Sequence, residues 1–257
     1  MHPRELFDLS GKTAIVTGGG AGIGRQMAQA LAEAGANLVL CARKVERCEQ
    51  AATELSQLGV RALGLRCDVR QPEAVQAVVD RTREEFGRID VLVNNAGTVW
   101  GAPPEETPLD GWQKVIDVNL TGVFVFSQAA GRVMIDAEGG KIVNIASVAG
   151  LGGAPPEIVN AIPYHASKGG VIAFTRDLAC KWARHGINVN AIAPGWFPSE
   201  MSRYVLDRQG EALVERVPLR RFGGPDDLKG AVVFLASAAS DYVTGHTLVV
   251  DGGESVW

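Results

Sequence analysis

Tyr164-His165-Ala166-Ser167-Lys168 places a phenol and an amine four residues apart, which on a helix means one turn and one face. A phenol titrates near 10 unaided, and a cation held beside it favours the phenolate and lowers that value. Such a pair is suited to passing a proton to or from a developing alkoxide, the event that accompanies interconversion of a ketone and a secondary alcohol. The same spacing also occurs on ordinary helix surfaces, so its meaning depends on what surrounds it.

A second stretch could hold a ligand. Thr17-Gly18-Gly19-Gly20-Ala21-Gly22-Ile23-Gly24-Arg25-Gln26 follows the apolar run Thr13 to Val16 and precedes Met27 to Ala32, which reads as helix. A helix N-terminus exposes unpaired N–H groups and a partial positive charge, and glycines let a phosphate approach them. A nucleoside triphosphate loop fits Gly19 to Gly24, but Arg25 and Gln26 stand where Lys and Ser or Thr are required. A turn alone accounts for one or two of these glycines. Binding of a dinucleotide pyrophosphate remains.

Both stretches need a scaffold. Short apolar runs recur at Thr13 to Val16, Asn37 to Cys41, Ala62 to Cys67, Val91 to Val93, Lys141 to Ile145, Val189 to Ile192 and Thr247 to Val250. Runs this uniform predict parallel strands buried on both faces. Pro72-Glu73 opens a helix over Ala74 to Phe86 that Gly87 closes, and Pro225-Asp226-Asp227 opens another over Leu228 to Ala236. The alternation predicts an α/β fold, a doubly wound parallel sheet with helices on both faces, in a single domain over 1–257. Gly150 to Pro163 and Gly195 to Ser202 break the alternation after predicted strands, at the edge where such sheets bind ligands.

The bulk numbers exclude several classes. With 257 residues, 46% of them hydrophobic, the chain can bury one sizeable core. Lys plus Arg total 25 against 29 Asp plus Glu, so the basic footprint of a nucleic-acid binder is missing. Met1 to Ser10 carries Arg4, Glu5 and Asp8 with no apolar core, and no run reaches the ~18 apolar residues of a span, which predicts a soluble, cytoplasmic protein with no membrane partner. Cys41, Cys48, Cys67 and Cys180 lack metal-ligand spacing and read as buried reduced thiols, with no metal site.

Taken together, Thr17-Gly18 to Gly22-Ile23-Gly24, Asn94-Asn95-Ala96-Gly97, Asn119, Ser147, Tyr164 to Lys168, Pro194-Gly195 and Asp251-Gly252-Gly253 stand in the order of one family. The chain resembles the short-chain dehydrogenase/reductases in their compact single-domain form, across essentially its whole length. The resemblance implies a Rossmann fold and a hydride transfer between a nicotinamide coenzyme and a carbonyl or alcohol substrate, with Asn119, Ser147, Tyr164 and Lys168 as the catalytic set. Within it, Ser147 would bond the substrate oxygen and Lys168 would also hold the nicotinamide ribose. Asn119 would mark a helix kink that carries a water in the proton relay. Coenzyme contacts would come from Gly18, Gly20, Gly22, Ile23, Gly24, Val69, Asn95, Ala96, Gly97, Pro194, Gly195, Phe197 and Ser199, besides Tyr164 and Lys168. Asp68 would bind adenine, although a capping role fits its spacing equally. The segment 198–217 resembles a substrate lid, and helices containing Asn119 and Tyr164 to Trp182 would form a dimer face within a homotetramer, a dimer of dimers.

The second strand ends Ala42-Arg43-Lys44, with no acid for a ribose diol and cations where a 2′-phosphate would lie, which favours NADP(H) over NAD(H). Substrate identity stays between a sugar acid, as for gluconate 5-dehydrogenases, and a 3-oxoacyl thioester. Arg203, Tyr204, Arg208 and Arg216 could greet an anionic substrate, although charges so placed are more often a solvated helix face. Ser147 and Tyr164 lie 17 residues apart, more than the family pattern, through a Pro-rich insertion at Leu151 to Glu157 that weakens transfer of substrate identity. The competing class is a non-catalytic NADP-binding sensor or scaffold, against which the retained Ser147, Tyr164 and Lys168 argue. A nucleotide-sugar epimerase would need a further C-terminal substrate region.

Overall fold

The computed structural model describes residues 2–257. After a one-turn helix α1 (Pro3–Leu6), strand β1 (Thr13–Thr17) leads into α2 (Gly22–Glu33), β2 (Asn37–Ala42), α3 (Val45–Ser56), β3 (Ala62–Arg66), α4 (Pro72–Phe86) and β4 (Val91–Asn94). The second half runs α5 (Leu109–Ile116), a π-helical turn (Asp117–Thr121), α6 (Gly122–Asp136), β5 (Gly140–Ile145), α7 (Ile162–Trp182), β6 (Ile187–Pro194), α8 (Arg203–Glu215), α9 (Lys229–Ala236) and β7 (Thr247–Val250).

The strands form one parallel sheet in the order β3-β2-β1-β4-β5-β6-β7. The predicted doubly wound architecture is observed. Chain direction across the sheet reverses between β1 and β4, and that switch point opens a crevice at the carboxyl ends of the strands. Alternate side chains of each strand feed two cores. Ala14, Val16, Leu38 and Leu40 face Met27 and Leu31 of α2 and Val232 and Leu235 of α9, while Ile15, Val39, Leu92 and Ile142 face Val75 and Val79 of α4 and Phe126 and Met134 of α6.

Burial on both faces holds for the inner strands and fails at the edges. β3 and β7 are half-buried along most of their length because each has a neighbour on one side only. Pro72 occupies the first position of α4, and Gly87 ends that helix in the left-handed region at φ 74°. Cys41, Cys48 and Cys67 are buried free thiols as expected, whereas Cys180 lies on the outer face of α7 and is exposed. Contiguous apolar residues alone predict no span in this sequence. The continuous helical stretch Leu109–Asp136 is long and apolar enough by composition, and half of its most apolar window is buried inside the domain.

Close approach of helix and sheet depends on missing side chains. A Cβ at Gly64 in β3 would lie 2.4 Å from the Glu49 nitrogen and 2.6 Å from the Cys48 carbonyl carbon in α3, backbone atoms that cannot yield locally. Gly64→Ala is therefore expected to destabilise the fold by about 1–3 kcal/mol, read as a lowered urea midpoint. Gly152→Ala, which meets nothing within 4 Å, serves as the neutral comparison, and equal midpoints for the two variants would contradict the packing.

Candidate active site

The first turn of α7 accepts Pro163 because its missing N–H is unpaired there anyway, and the helix then carries Tyr164 and Lys168 one turn apart at the carboxyl edge of β5. Lys168 is 5% exposed, its Nζ donates to the Ile145 carbonyl at 2.6 Å, and it lies 5.6 Å from the Tyr164 ring centroid. Burial disfavours the ammonium and brings its pKa down to about 8. Burial also raises the Tyr164 phenol above its usual value, with a hydrogen bond from Ser147 working against the rise. A cation lowering the phenol was the expectation from spacing. In the structure desolvation raises the phenol instead, the opposing influence comes from Ser147, and the ammonium bonds a backbone carbonyl.

Ser147 follows β5 as the cap of a short turn, Val148–Gly150, where its Oγ accepts the Ala149 N–H at 3.2 Å. Its own proton points to the Tyr164 side of the crevice, where it bonds the phenol. That turn sits directly on α7, since a Cβ at Gly150 would come within 2.6 Å of the Lys168 carbonyl carbon. One glycine thus sets how closely Ser147 approaches the helix that carries Tyr164 and Lys168.

The helical run from α5 to α6 contains the π-helical turn at its middle, and Asn119, fully buried, lies in it. The kink expected there is this turn. Asn119 Oδ1 accepts the Thr98 N–H at 2.8 Å, and its Nδ2 donates to the Thr98 carbonyl at 2.9 Å and to Ser167 Oγ at 3.0 Å. Beneath it, Asn94 donates to Ser127 and Asn144, and Asn144 donates to Thr175, each at 2.9 Å. That buried chain ties β4, β5, α6 and α7 together, and the sequence reading missed it.

On the other side of the crevice, Gly18 is left-handed at φ 67°, and a Cβ on Gly24 would strike the Asn95 amide at 2.3 Å. Thr17 Oγ1 accepts the N–H groups of Asn95 and Ala96, both at 2.9 Å, which pins the Asn95-Ala96-Gly97 segment against the glycine loop. Helix α2 begins after Ala21 with no side-chain cap. Gly22, at φ 54°, has only Ser199 Cβ within 4 Å of the place a Cβ would take, so the helix start at this residue faces open space, while Ile23 packs its side chain against the core. An uncapped helix start beside a bare glycine fits a pyrophosphate. Arg43 and Lys44 are exposed at the end of β2 and, among the described residues, make no ion pair. Gly20 packs on the backbone of Arg47 and Cys48 in α3 rather than lining open space.

Asp68 does not cap α4, whose cap is Gln71; its carboxylate accepts the Arg70 N–H and pairs with the Arg70 guanidinium at 2.6 Å, which holds it below the usual carboxylate range. Val69 is buried against Gly122 at the start of α6. Pro194 ends β6, and Gly195 lies so close to Asp251 that a Cβ would sit 2.8 Å from its side chain. Phe197 turns its ring into the core against Gly223. Only its backbone is left to face a ligand. Ser199 Oγ is engaged with Ser202 at 3.1 Å, beside the glycine loop.

Three further contacts had no sequence signal. Trp196 Nε1 donates to Glu254 at 2.9 Å, which anchors the residue after Gly195 to the C-terminal turn. Arg47 in α3 pairs with Glu200 at 2.9 Å, and Gln209 of α8 donates to the Glu157 carbonyl in the Pro-rich insertion at 2.6 Å. Helix α8 buries Leu213 alone.

A family model described as enoyl-(acyl carrier protein) reductase matches residues 18–255. The chain is 42% identical over 252 residues to 2-dehydro-3-deoxy-D-gluconate 5-dehydrogenase of Escherichia coli K12, covering 97% of each chain. Its fold matches the crystal structure of a short-chain type dehydrogenase/reductase from Mycobacterium marinum with a TM-score of 0.94 at 40% identity, over 98% of this chain and 99% of that one. It also matches a gluconate 5-dehydrogenase from Burkholderia cenocepacia J2315, in complex with NADP and tartrate, with a TM-score of 0.94 at 41% identity over both whole chains.

The buried amine makes stability pH-dependent. The folded-state value of Lys168, about 8, lies below the value of an unfolded lysine, so the unfolded chain binds more protons between the two. Below pH 8 the folded protein carries the whole burial penalty, and stability recovers as pH rises through the window. Relative to Lys168→Met, the wild-type unfolding free energy is expected to rise between pH 8 and 10, by up to about 3 kcal/mol. Denaturant titrations giving parallel pH profiles for the two proteins would overturn the assignment.

Proposed function

The chain belongs to the short-chain dehydrogenase/reductase family, and from that premise we propose that it interconverts a ketone and a secondary alcohol on a sugar acid, with NADP(H) as coenzyme. The observation that carries the reading is the convergence of Tyr164, Lys168 and Ser147 at the same sheet edge as the bare glycine loop. A scaffold has no use for an ammonium buried at a cost of several kcal/mol.

The coenzyme, when bound, supplies or accepts the hydride. The chain does the rest. Ser147 turns its proton from the phenol to the substrate oxygen and holds that atom beside Tyr164. Tyr164 gives its proton to the oxygen as negative charge develops there, and takes one back in the oxidative direction. Lys168, one turn away, stabilises the resulting phenolate. Asn119 holds the kinked helix against the loop at Thr98.

Arg43 and Lys44 support NADP(H), because two unpaired cations at the end of β2 match a 2′-phosphate where no carboxylate opposes it. An NADP complex of a 41% identical neighbour points the same way. Sugar-acid chemistry is supported by the names of the relatives. The segment 198–217 acts as a lid, tied to the coenzyme half by Arg47–Glu200 and to the insertion by Gln209–Glu157. Exposed Phe124 and half-buried Phe174, packed edge to face on α6 and α7, suit the proposed face of a homotetramer.

NADPH oxidation should depend on an added ketone, tested with keto sugar acids, an acetoacetyl thioester and simple diketones. Tyr164→Phe is expected to lower kcat at least about 100-fold while coenzyme affinity changes little; full turnover in that variant would sink the proposed acid. Arg43→Ala should weaken NADPH binding about 10- to 100-fold and leave NADH nearly unaffected. Equal losses for both coenzymes, measured by fluorescence titration, would remove the phosphate role.

A further inference from the structure

Ser167 has no part in the chemistry just described, yet it is fully buried beside Lys168 and bonded on both sides. A serine inside a helix often bonds a carbonyl one turn back and nothing else. Ser167 does that, donating its proton to the Tyr164 carbonyl at 2.8 Å, and in addition its Oγ accepts from Asn119 Nδ2 at 3.0 Å.

The bonding capacity of Asn119 makes that second bond informative. A carboxamide has one oxygen and two N–H donors. Here the oxygen takes the Thr98 N–H, and the NH₂ group serves the Thr98 carbonyl and Ser167. Both Nδ2 donors are committed inside the protein, so the side chain acts by holding geometry rather than by touching a reactant. Its partner on the other side of that hold is Ser167.

The direction of the chain is fixed as well. Asn119 Nδ2 can only donate, so Ser167 Oγ must accept there and spend its single proton on Tyr164. By the α-helical pattern the same carbonyl receives the Lys168 N–H. Close packing of the two segments is supplied separately by Gly170, where a Cβ would stand 2.9 Å from Leu120 Cδ2. The hydroxyl is therefore more than a filler between α7 and the π-helical turn.

We propose that Ser167 is a positioning residue: its hydroxyl fastens the π-helical turn at Asn119 to the first turn of α7 and so fixes where Tyr164 and Lys168 stand relative to the Gly97-Thr98 loop. The proposal rests on the Tyr164–Lys168 reading above. Loss of the fastening leaves coenzyme and substrate contacts in place and degrades the alignment of the proton donor, which is felt in kcat.

The test is steady-state kinetics of Ser167→Ala across pH, with Ser167→Thr as the variant that keeps the hydroxyl. Ser167→Ala is expected to lower kcat about tenfold, to leave both KM values within about twofold, and to move the alkaline limb of the kcat profile. Ser167→Thr should restore most of the rate and the wild-type limb. Combining Ser167→Ala with Asn119→Ala should cost little more than the worse single variant, because both remove one device. A Ser167→Ala protein with wild-type kcat and an unmoved pH profile would overturn the proposal, as would lowered thermal stability with no kinetic change. If Ser167→Ala does not fold, Ser167→Cys, whose thiol is a poor donor, replaces it against Ser167→Thr under the same criteria. Tyr164→Phe separates the two levels: activity in that variant removes the underlying mechanism, whereas an inactive Tyr164→Phe beside an unaffected Ser167→Ala removes this inference alone.

Discussion

An ammonium taken out of water, with the Ile145 carbonyl 2.6 Å away, is the constraint around which the reactive half of the molecule is arranged. Taking such an ion out of water costs several kcal/mol, and a single carbonyl does not repay that. The surrounding structure has to hold α7 down on the end of β5, and it does so with pieces that leave no slack. Gly150 lets the turn after Ser147 touch the α7 backbone. The buried Asn94–Asn144–Thr175 chain bonds β4 and β5 to the same helix from below. Local strain at one amine is thus carried by the cooperativity of a whole layer.

The coenzyme half obeys the opposite economy. Around Gly18 to Gly24 the chain withholds side chains, and the few polar groups present brace backbone: Thr17 holds the N–H groups of Asn95 and Ala96, and the Asn95 amide bonds the Thr17 carbonyl. One side of the sheet's switch point offers bare N–H groups and the other offers a buried phenol beside a buried amine. A parallel sheet brings them to one edge because all of its strands end there.

Much of this was legible in the sequence wherever the information is local. Strand periodicity, the glycine loop and the four-residue step from Tyr164 to Lys168 are properties of short segments, and the structure places them as read. What escaped the sequence is what the fold brings together from far apart. Arg47 and Glu200 are 153 residues apart in the chain, and Asn119 and Ser167 are 48 apart. The balance at Tyr164 also escaped, because spacing reveals the neighbouring amine but not how much water burial removes. Cys180 went astray for a related reason: a residue type does not say which side of a helix will meet the sheet.

The Arg47–Glu200 pair is exposed on both sides, with the side chains 43% and 66% accessible. Pairs of that kind contribute little in water, because solvent screens the charges and two long side chains must be held in one geometry. For the cover proposed over 198–217 this tie is a light one, and dissolved salt, by screening the two charges, loosens it further.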